Sequence, residues 1–379
     1  MAVTLTASNS LAIQKRVREK WNEEGSQAGR QYFAENTTAK ALLSNNSLGM
    51  EEVWQNGRCV GVKLWMVDVS DGANAVDNVG TTPPTTDCDL VATKEVGTRG
   101  FTYTPNLYLQ DGFTVSDALC GNDAQFTELV SAGLAQRLRD HRAQLNTNTI
   151  NFLNDNASAN LDTRFVGSEF TVDGVKTLIP ENYWLREDFL MKLAIMATNN
   201  KMGQDFLIVD GSNLLLNQMM APYYGQNDNQ RSFGAAYRDM LNRYYSDMLR
   251  LDTVVGESTT FLVNPNMFGF MNMAQYGLAP TVIDPSRNRS AFSIPDPELT
   301  YRRVRRDPNT GRTSVETVPV MYDVYYEYAC SGRDARGTMT YDHKWEVDFR
   351  GAMFLGPTSQ SGFSANTNGI LKLVREIGI

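Results

Sequence analysis

Histidine is almost missing from this chain: there are two in 379 residues, His141 and His343. Cysteine is scarce as well. Cys59, Cys88, Cys120 and Cys330 stand far apart with no C-x-x-C pair, so neither a disulfide framework nor a structural zinc site is expected. Charged residues make up only 21% of the chain, and a net charge of -8 argues against general affinity for nucleic acid, which needs a basic face. The first twenty residues hold no apolar h-region, and no apolar run reaches bilayer length. A soluble protein made in a cytoplasm, with no membrane partner, is expected. No G-x-S-x-G elbow, P-loop, G-x-G-x-x-G or H-E-x-x-H occurs.

The polarity that remains is carried by Asn and Thr. A polar but weakly charged surface suits a chain that buries much of its exterior against partners, because interface cores are depleted in charge. The length suffices for one large domain or two to three modest ones.

Residues 1–50 read as an arm. Ile13, Val17 and Trp21 fall on one face of a short helix, and one thin stripe needs something else to lie on. A long hairpin follows, "RCVGVKLWMVDV" (58–69) with "GFTYTPNLYLQDGF" (100–113), and between them runs "SDGANAVDNVGTTPPTTDCD" (70–89), twenty residues of turn formers. The clearest element is a helix over 122–155. Phe126, Val130, Leu134, Leu138, His141, Leu145, Thr149 and Phe152 share its apolar face, and Arg137, Arg139, Asp140 and Arg142 lie opposite. A helix over 183–199, a strand over 206–209, a helix from Leu214 through Met219 and another over 233–249 are predicted next. "FLIVDGSNLLLNQM" and "TFLVNPNMFGFMNM" look like two matching strand–turn–helix units, which predicts a small α/β layer with both strand ends on one side. From 299 onward the pattern is strands: a hairpin over Pro308-Asn309-Thr310-Gly311, then "GTMTYDHKWEVDF" and "NGILKLVREIGI".

Candidate chemistry is thin. His141 lies on an apolar helix face, where a packed histidine is the expectation. His343 follows Asp342 in a strand and lacks a nucleophile partner. The turn Asp210-Gly211-Ser212-Asn213 has the composition of a phosphate-binding helix start, but plain capping explains it equally, and its echo at Asn264-Pro265-Asn266 favours scaffold. Acids near the hairpin tip (Asp68, Asp71, Asp77, Asp87, Asp89) lack EF-hand spacing and read as solvated. Arg302, Arg303, Arg305 and Arg306 divide between the two faces of a strand around Val304, which suits ion pairs to a neighbouring subunit better than nucleic acid. No catalytic, cofactor-binding or metal residue is assigned.

The order of these parts resembles the tailed-phage major capsid protein of the Hong Kong 97 type, an α+β fold shared with encapsulins. The resemblance implies an N-terminal arm at 1–52 and an extended E-loop hairpin at 53–115. A spine helix with the start of a peripheral domain would occupy 116–179, and an α/β axial domain 180–290. Peripheral strands over 291–355 and a C-terminal strand in 356–379 complete the expected layout. It implies a structural subunit, not an enzyme, that assembles with itself through pentamers and hexamers into an icosahedral shell around double-stranded DNA held without sequence-specific contacts. Its location would be the virion, after assembly in a host cytoplasm. No long charged helical prefix precedes the arm, so the scaffolding protein would be separate, with portal and decoration proteins as further partners. Trp21, Asp71, Asp87 and the four arginines are the subunit-interface candidates. An encapsulin-like compartment enclosing protein cargo shares the fold, and an α/β enzyme is the remaining alternative.

Overall fold

The computed structural model describes residues 7–34, 37–46, 48, 50–55, 58–69, 96–116, 123–162, 164–165, 169–184, 186, 188–200, 202, 205–214, 243–248, 250–306, 310, 312–333, 337, 339–356 and 369–376. Its longest helix, α3 (Asp123–Asp155), runs 33 residues. The predicted stripe is the buried one: Phe126, Val130, Leu134, Leu138, His141, Leu145 and Thr149 are all closed off from solvent. Gly133 lies within the helix where the Phe113 ring approaches the backbone, and a Cβ there would meet that ring at 2.5 Å. The predicted polar face is not uniformly wet. Asp140 is exposed, but Arg139 and Arg142 are buried beneath the N-terminal helix.

That helix, α1 (Ala7–Ala34), is 28 residues long, not short, and packs on α3. Ile13, Val17 and Trp21 are buried in the same core as α3, so the arm finds its support within its own chain. A second helix, α2 (Thr37–Asn45), turns the chain toward a three-stranded ribbon. Its strands are β1 (Glu51–Gln55), β2 (Arg58–Val69) and β3 (Val96–Tyr103), antiparallel throughout. The predicted hairpin is therefore corrected: β2 pairs with residues 96–103, and the following strand β4 (Leu107–Ser116) leaves for another sheet. Leucine and aromatic side chains at 107–113 find more apolar cover against α3 than a ribbon offers. Residues 70–95, with the loop tip, lie outside the described residues.

The larger sheet is antiparallel, with strand order β10-β14-β13-β12-β11 and β4 on the far side of β14. Its strands are β10 (Phe268–Asn272), β11 (Thr281–Asp284), β12 (Arg289–Arg306), β13 (Thr313–Arg333) and β14 (Met339–Leu355). β12 and β13 form the expected hairpin, with a register shift between Pro295 and Thr300. β13 and β14 part beyond Asp323 and Asp348, and β10 enters on that side, since Gly351 faces Leu107 on one flank and Asn272 on the other.

Asparagine amides complete the ladder where strands separate. Asn272 Oδ1 accepts from the Met321 N–H at 2.7 Å, while its Nδ2 donates to the Met321 and Arg350 carbonyls at 3.1 and 3.0 Å. Asn106 pairs with both backbone groups of Met353, and Asn46 donates to the carbonyls of Phe270 and Arg302. A carboxamide carries the same donor and acceptor as a peptide group, so buried backbone atoms stay satisfied without a strand.

The second sheet is mixed, in the order β5-β6-β15-β9-β7-β8. It is built from β5 (Thr171–Asp173), β6 (Lys176–Pro180), β7 (Leu207–Asp210), β8 (Tyr244–Ser246), β9 (Thr259–Val263) and β15 (Ile370–Glu376). A second core lies between it and α5 (Phe189–Asn199), which follows the one-turn helix α4 (Glu181–Trp184). α6 (Leu251–Val255) precedes β9.

Three expectations fail in this region. The two supposed matching units are antiparallel neighbours, β7 against β9, so their ends point opposite ways. Asn264-Pro265-Asn266 leads into strand β10, not a helix: Phe268 and Phe270 alternate into the core at period two. Residues 244–246 are strand, where a helix over 233–249 was predicted, because Tyr244 and Tyr245 extend the sheet beside β7. Leu214 is described, but the rest of the helix predicted through Met219 lies outside the described residues.

Candidate functional site

The buried carboxylates hold the polar organisation of this fold. Asp210, at the end of β7, is wholly buried. Its Oδ1 accepts from Thr260 Oγ1 at 2.6 Å, and its Oδ2 accepts from the Tyr244 hydroxyl at 2.7 Å and the Leu214 N–H at 3.0 Å. Burial pushes the Asp210 carboxyl up to about 6 against the pull of those three donors, and the nearby Asp252 carboxylate adds to the rise. The turn Asp210–Asn213 has its acid turned inward, held by Thr260 of β9, Tyr244 of β8 and the Leu214 N–H of the turn itself. Both carboxylate oxygens of Asp210 accept hydrogen bonds from the protein itself.

Asp247 does a related job for the N-terminal region. Its Oδ2 accepts from the N–H and hydroxyl of Thr38, at 3.2 and 2.7 Å, and from Asn146 Nδ2 at 2.9 Å. Asn146 Oδ1 accepts from the Ala39 N–H at 2.8 Å. The free N–H groups at the start of α2 are thus capped by residues of α3 and the β8 loop. Burial raises the Asp247 carboxyl above its ordinary range. Asp296, in the β12 bulge, accepts from the Tyr322 hydroxyl and two backbone N–H groups, and burial raises it as well. On the sheet face away from α3, Asp323 and Asp348 sit directly opposite each other. Burial and then Glu346 push Asp348 up to about 6, while burial raises Asp323.

The interface candidates separate on inspection. Trp21 is 6% exposed, covered by its own chain with Arg139 and Arg142 over its ring at 5.3 and 5.7 Å. Arg303 is ion-paired to Glu52 of β1 and lies 3.5 Å from Glu316. Both of these counter-charges belong to the same chain. Arg302 is half-buried on the other face of the strand. The side chains of Arg305 and Arg306 lie outside the described residues, as do Asp71 and Asp87.

Both histidines are packed. His141 Nδ1 is 2.8 Å from the Arg137 carbonyl, and its ring meets Tyr322 edge-on. His343 is buried, 2.8 Å from the Tyr326 hydroxyl and among the rings of Phe126 and Tyr328. A cleft of about 240 Å³ opens between ribbon and sheet, lined by Glu52, Cys59, Met271, Met273, Arg303 and Met321. Among the described residues, no group of three or more His, Cys, Asp or Glu side chains is placed to hold a metal ion, and no helix is long and apolar enough to cross a membrane.

No protein-family profile and no curated protein matches the chain. Solved structures resemble it distantly. One from Mycobacterium phage Adephagia has a TM-score of 0.40 at 11% identity, covering 91% of each chain. The mature capsid of bacteriophage PhiM1 gives 0.36 at 9%, over 88% of this chain and 90% of that one. The capsid of Myoviridae phage XM1 gives 0.35 at 11%, over 86% and 90%. Likeness this distant assigns no residue and no activity to the present chain.

Asp247, Asp296 and the bridging asparagines were missed in the sequence. The abundance of Asn is the only trace of the asparagines; Asp247 acts through partners more than a hundred residues away, while Asp296 closes a local turn onto Glu298 and Leu299 and meets Tyr322 across the hairpin.

Proposed function

We propose that this chain is the major capsid protein of a tailed phage, of the Hong Kong 97 type, and that its copies close into an icosahedral shell around double-stranded DNA. The observation that supports the reading is the order and form of the elements in one chain. An N-terminal helix lies along a 33-residue helix, a three-stranded ribbon belongs to neither six-stranded sheet, and α3 lies against the antiparallel sheet. In this reading the ribbon is the E-loop, α3 the spine helix, and the mixed sheet the core of the axial domain. The buried acids fasten elements to each other, which suits a part whose work is mechanical.

The surface offers contacts for copies of itself. Edge strand β11 shows Val282, 62% exposed, and Ile283 to solvent, with Leu278 just before it. Unpaired edges with apolar side chains are where further chain adds. Arg302 remains a proposed contact, together with the ribbon tip carrying Asp71 and Asp87. Hexamers and pentamers, a separate scaffolding protein, a portal and decoration proteins belong to the same proposal. Negative-stain microscopy and sedimentation of the purified chain test it. Closed particles of uniform diameter are expected, and a chain that stays monomeric or forms only a small oligomer overturns the reading. Nucleic acid, not protein cargo, is the expected content of particles taken from infected cells.

A further inference from the structure

Period-two alternation along β13 and β14 puts three cross-strand pairs in a row on one sheet face: Tyr326 with Trp345, Tyr328 with His343, and Cys330 with Tyr341. Trp345 is 1% exposed, and its ring centroid lies 4.6 Å from that of Tyr326. Tyr326 is 5.9 Å from Tyr328, and Tyr328 is 6.1 Å from Tyr341. The row therefore leads from the core, where Trp345 and Tyr326 are buried, through half-buried Tyr328 and Tyr341 to exposed Cys330. The Tyr326 hydroxyl is 2.8 Å from His343 Nδ1, and the two rings lie 11° from parallel. The Trp345 indole N–H, by contrast, meets no acceptor among the described residues. Trp345 also lines a cleft of about 500 Å³ on the sheet, with Arg289, Tyr325, Lys344 and Glu346 beside it.

We propose that this row is a redox relay, carrying a one-electron oxidation from Trp345 through Tyr326 and Tyr328 to Tyr341, where a soluble reductant repairs it. Indole and phenol rings give up one electron far more readily than aliphatic side chains. Electron tunnelling falls steeply with distance, so short steps between neighbouring rings outrun a single long one. A one-electron oxidant in the cleft, a carbonate or azide radical for example, takes an electron from the Trp345 indole. With no acceptor for its proton, the indole stays a radical cation, its more oxidising form. An electron from Tyr326 refills it. The oxidised phenol sheds its proton across the hydrogen bond to His343 Nδ1, the imidazole carrying its own proton on Nε2. Tyr328 then gives an electron to Tyr326 and a proton to water, while His343 returns its extra proton to the Tyr326 oxygen. Tyr341 repeats the step: its electron goes to Tyr328, its proton goes to water, and Tyr328 takes a proton back from water. At the surface a hydrogen-atom donor such as ascorbate supplies the electron and proton that restore Tyr341. The net change is one oxidant reduced and one donor oxidised, and every side chain ends as it began.

The relay protects the main core, in which Trp345 packs with Tyr326 and Phe113. A tryptophan left oxidised gains oxygen, and a close-packed site that excludes water has neither room nor partners for a new polar group. Tyr341, half-buried at the far end, meets solutes that Trp345 does not. The inference does not depend on the shell reading, because it is measured on the folded chain whether or not copies assemble.

Pulse radiolysis of the full-length protein with azide radical is the test, with circular dichroism to show that each variant is folded. In wild type, part of the indole radical signal should give way to a phenoxyl signal, which ascorbate then removes. Trp345→Phe should lose that conversion while the other tryptophans keep their own radical signal. Tyr326→Phe should also lose it, and peptide mass spectrometry should find hydroxylated Trp345 there but not in wild type treated with ascorbate. Tyr328→Phe should keep the conversion but lose the repair, because the phenoxyl stays on buried Tyr326. A wild-type chain without the conversion overturns the proposal, as does a conversion that persists unchanged in Trp345→Phe or Tyr326→Phe. Repair by ascorbate that continues unchanged in Tyr328→Phe overturns the exit through Tyr341. An unchanged conversion rate in heavy water overturns the role given to His343.

Discussion

At the scale of single residues, charge in this protein is mostly withdrawn from solvent and set to hold backbone. Asp210 and Asp348 have carboxyls pushed up to about 6, chiefly by burial. A carboxyl whose folded value exceeds its unfolded one binds its proton more readily in the folded state. Its stabilising contribution is full below the unfolded value near 4, and it is lost as pH rises through about 6. The urea midpoint should therefore be higher at pH 5 than at pH 8. In Asp210→Asn with Asp348→Asn that difference should shrink, whatever the new baseline stability, and equal pH profiles for wild type and double variant would refute the account. Glu52 and Arg303 obey different physics. The Glu52 side chain is 3% exposed beside its arginine. Removing the arginine in Arg303→Met takes a counter-charge away from a buried carboxylate, for a loss of about 3 kcal/mol in urea unfolding. Adding Glu52→Gln should recover part of that loss, and strictly additive losses would show that the pair is not coupled.

At the scale of elements, α3 and the sheet gaps are the sensitive places. Leu138 is fully buried at the centre of the α3 stripe. Leu138→Ala should lower stability by about 3 kcal/mol, and Leu138→Asp should give no folded protein. A soluble, cooperatively melting aspartate variant would place that face of the helix wrongly. The gap between β13 and β14 rests on one side chain. Asn272→Ala removes the partner of the Met321 N–H and of two carbonyls, a loss of about 2–4 kcal/mol on thermal or urea unfolding. Hydrogen exchange should localise the damage at Met321 and leave the α3 amides protected.

At the scale of the whole molecule, two of the residues proposed for contacts between copies also meet groups of their own chain. Trp21 lies under its own arginines and Arg303 meets its own Glu52, so charge reversal at Arg303 would act on folding before assembly. The edge strand is the better place to separate the two. Val282→Lys with Ile283→Lys changes side chains that touch solvent, so the melting temperature should stay close to wild type. Particle counts by electron microscopy should fall sharply. Wild-type yields from that double variant would remove β11 from the contacts between copies.

What the sequence determined by itself is what local periodicity encodes. The stripe on α3 from Phe126 to Thr149, the alternation in β12 to β14 and the unbroken apolar run at 206–209 each repeat within a few residues, and the structure follows them. Only the tertiary structure decided how those pieces combine. Residues 107–116 left the ribbon because α3 and β14 offered more buried surface, and "NMFGFMN" became a strand because the splayed sheet had an open place for it. The buried polar contacts were decided at the same level. Asp247 meets Thr38 across a separation of 209 residues, and Lys372 meets Asn154 across 218. A hydrogen bond or ion pair formed over such distances leaves no periodic trace in the chain, since its geometry exists only once both cores have closed.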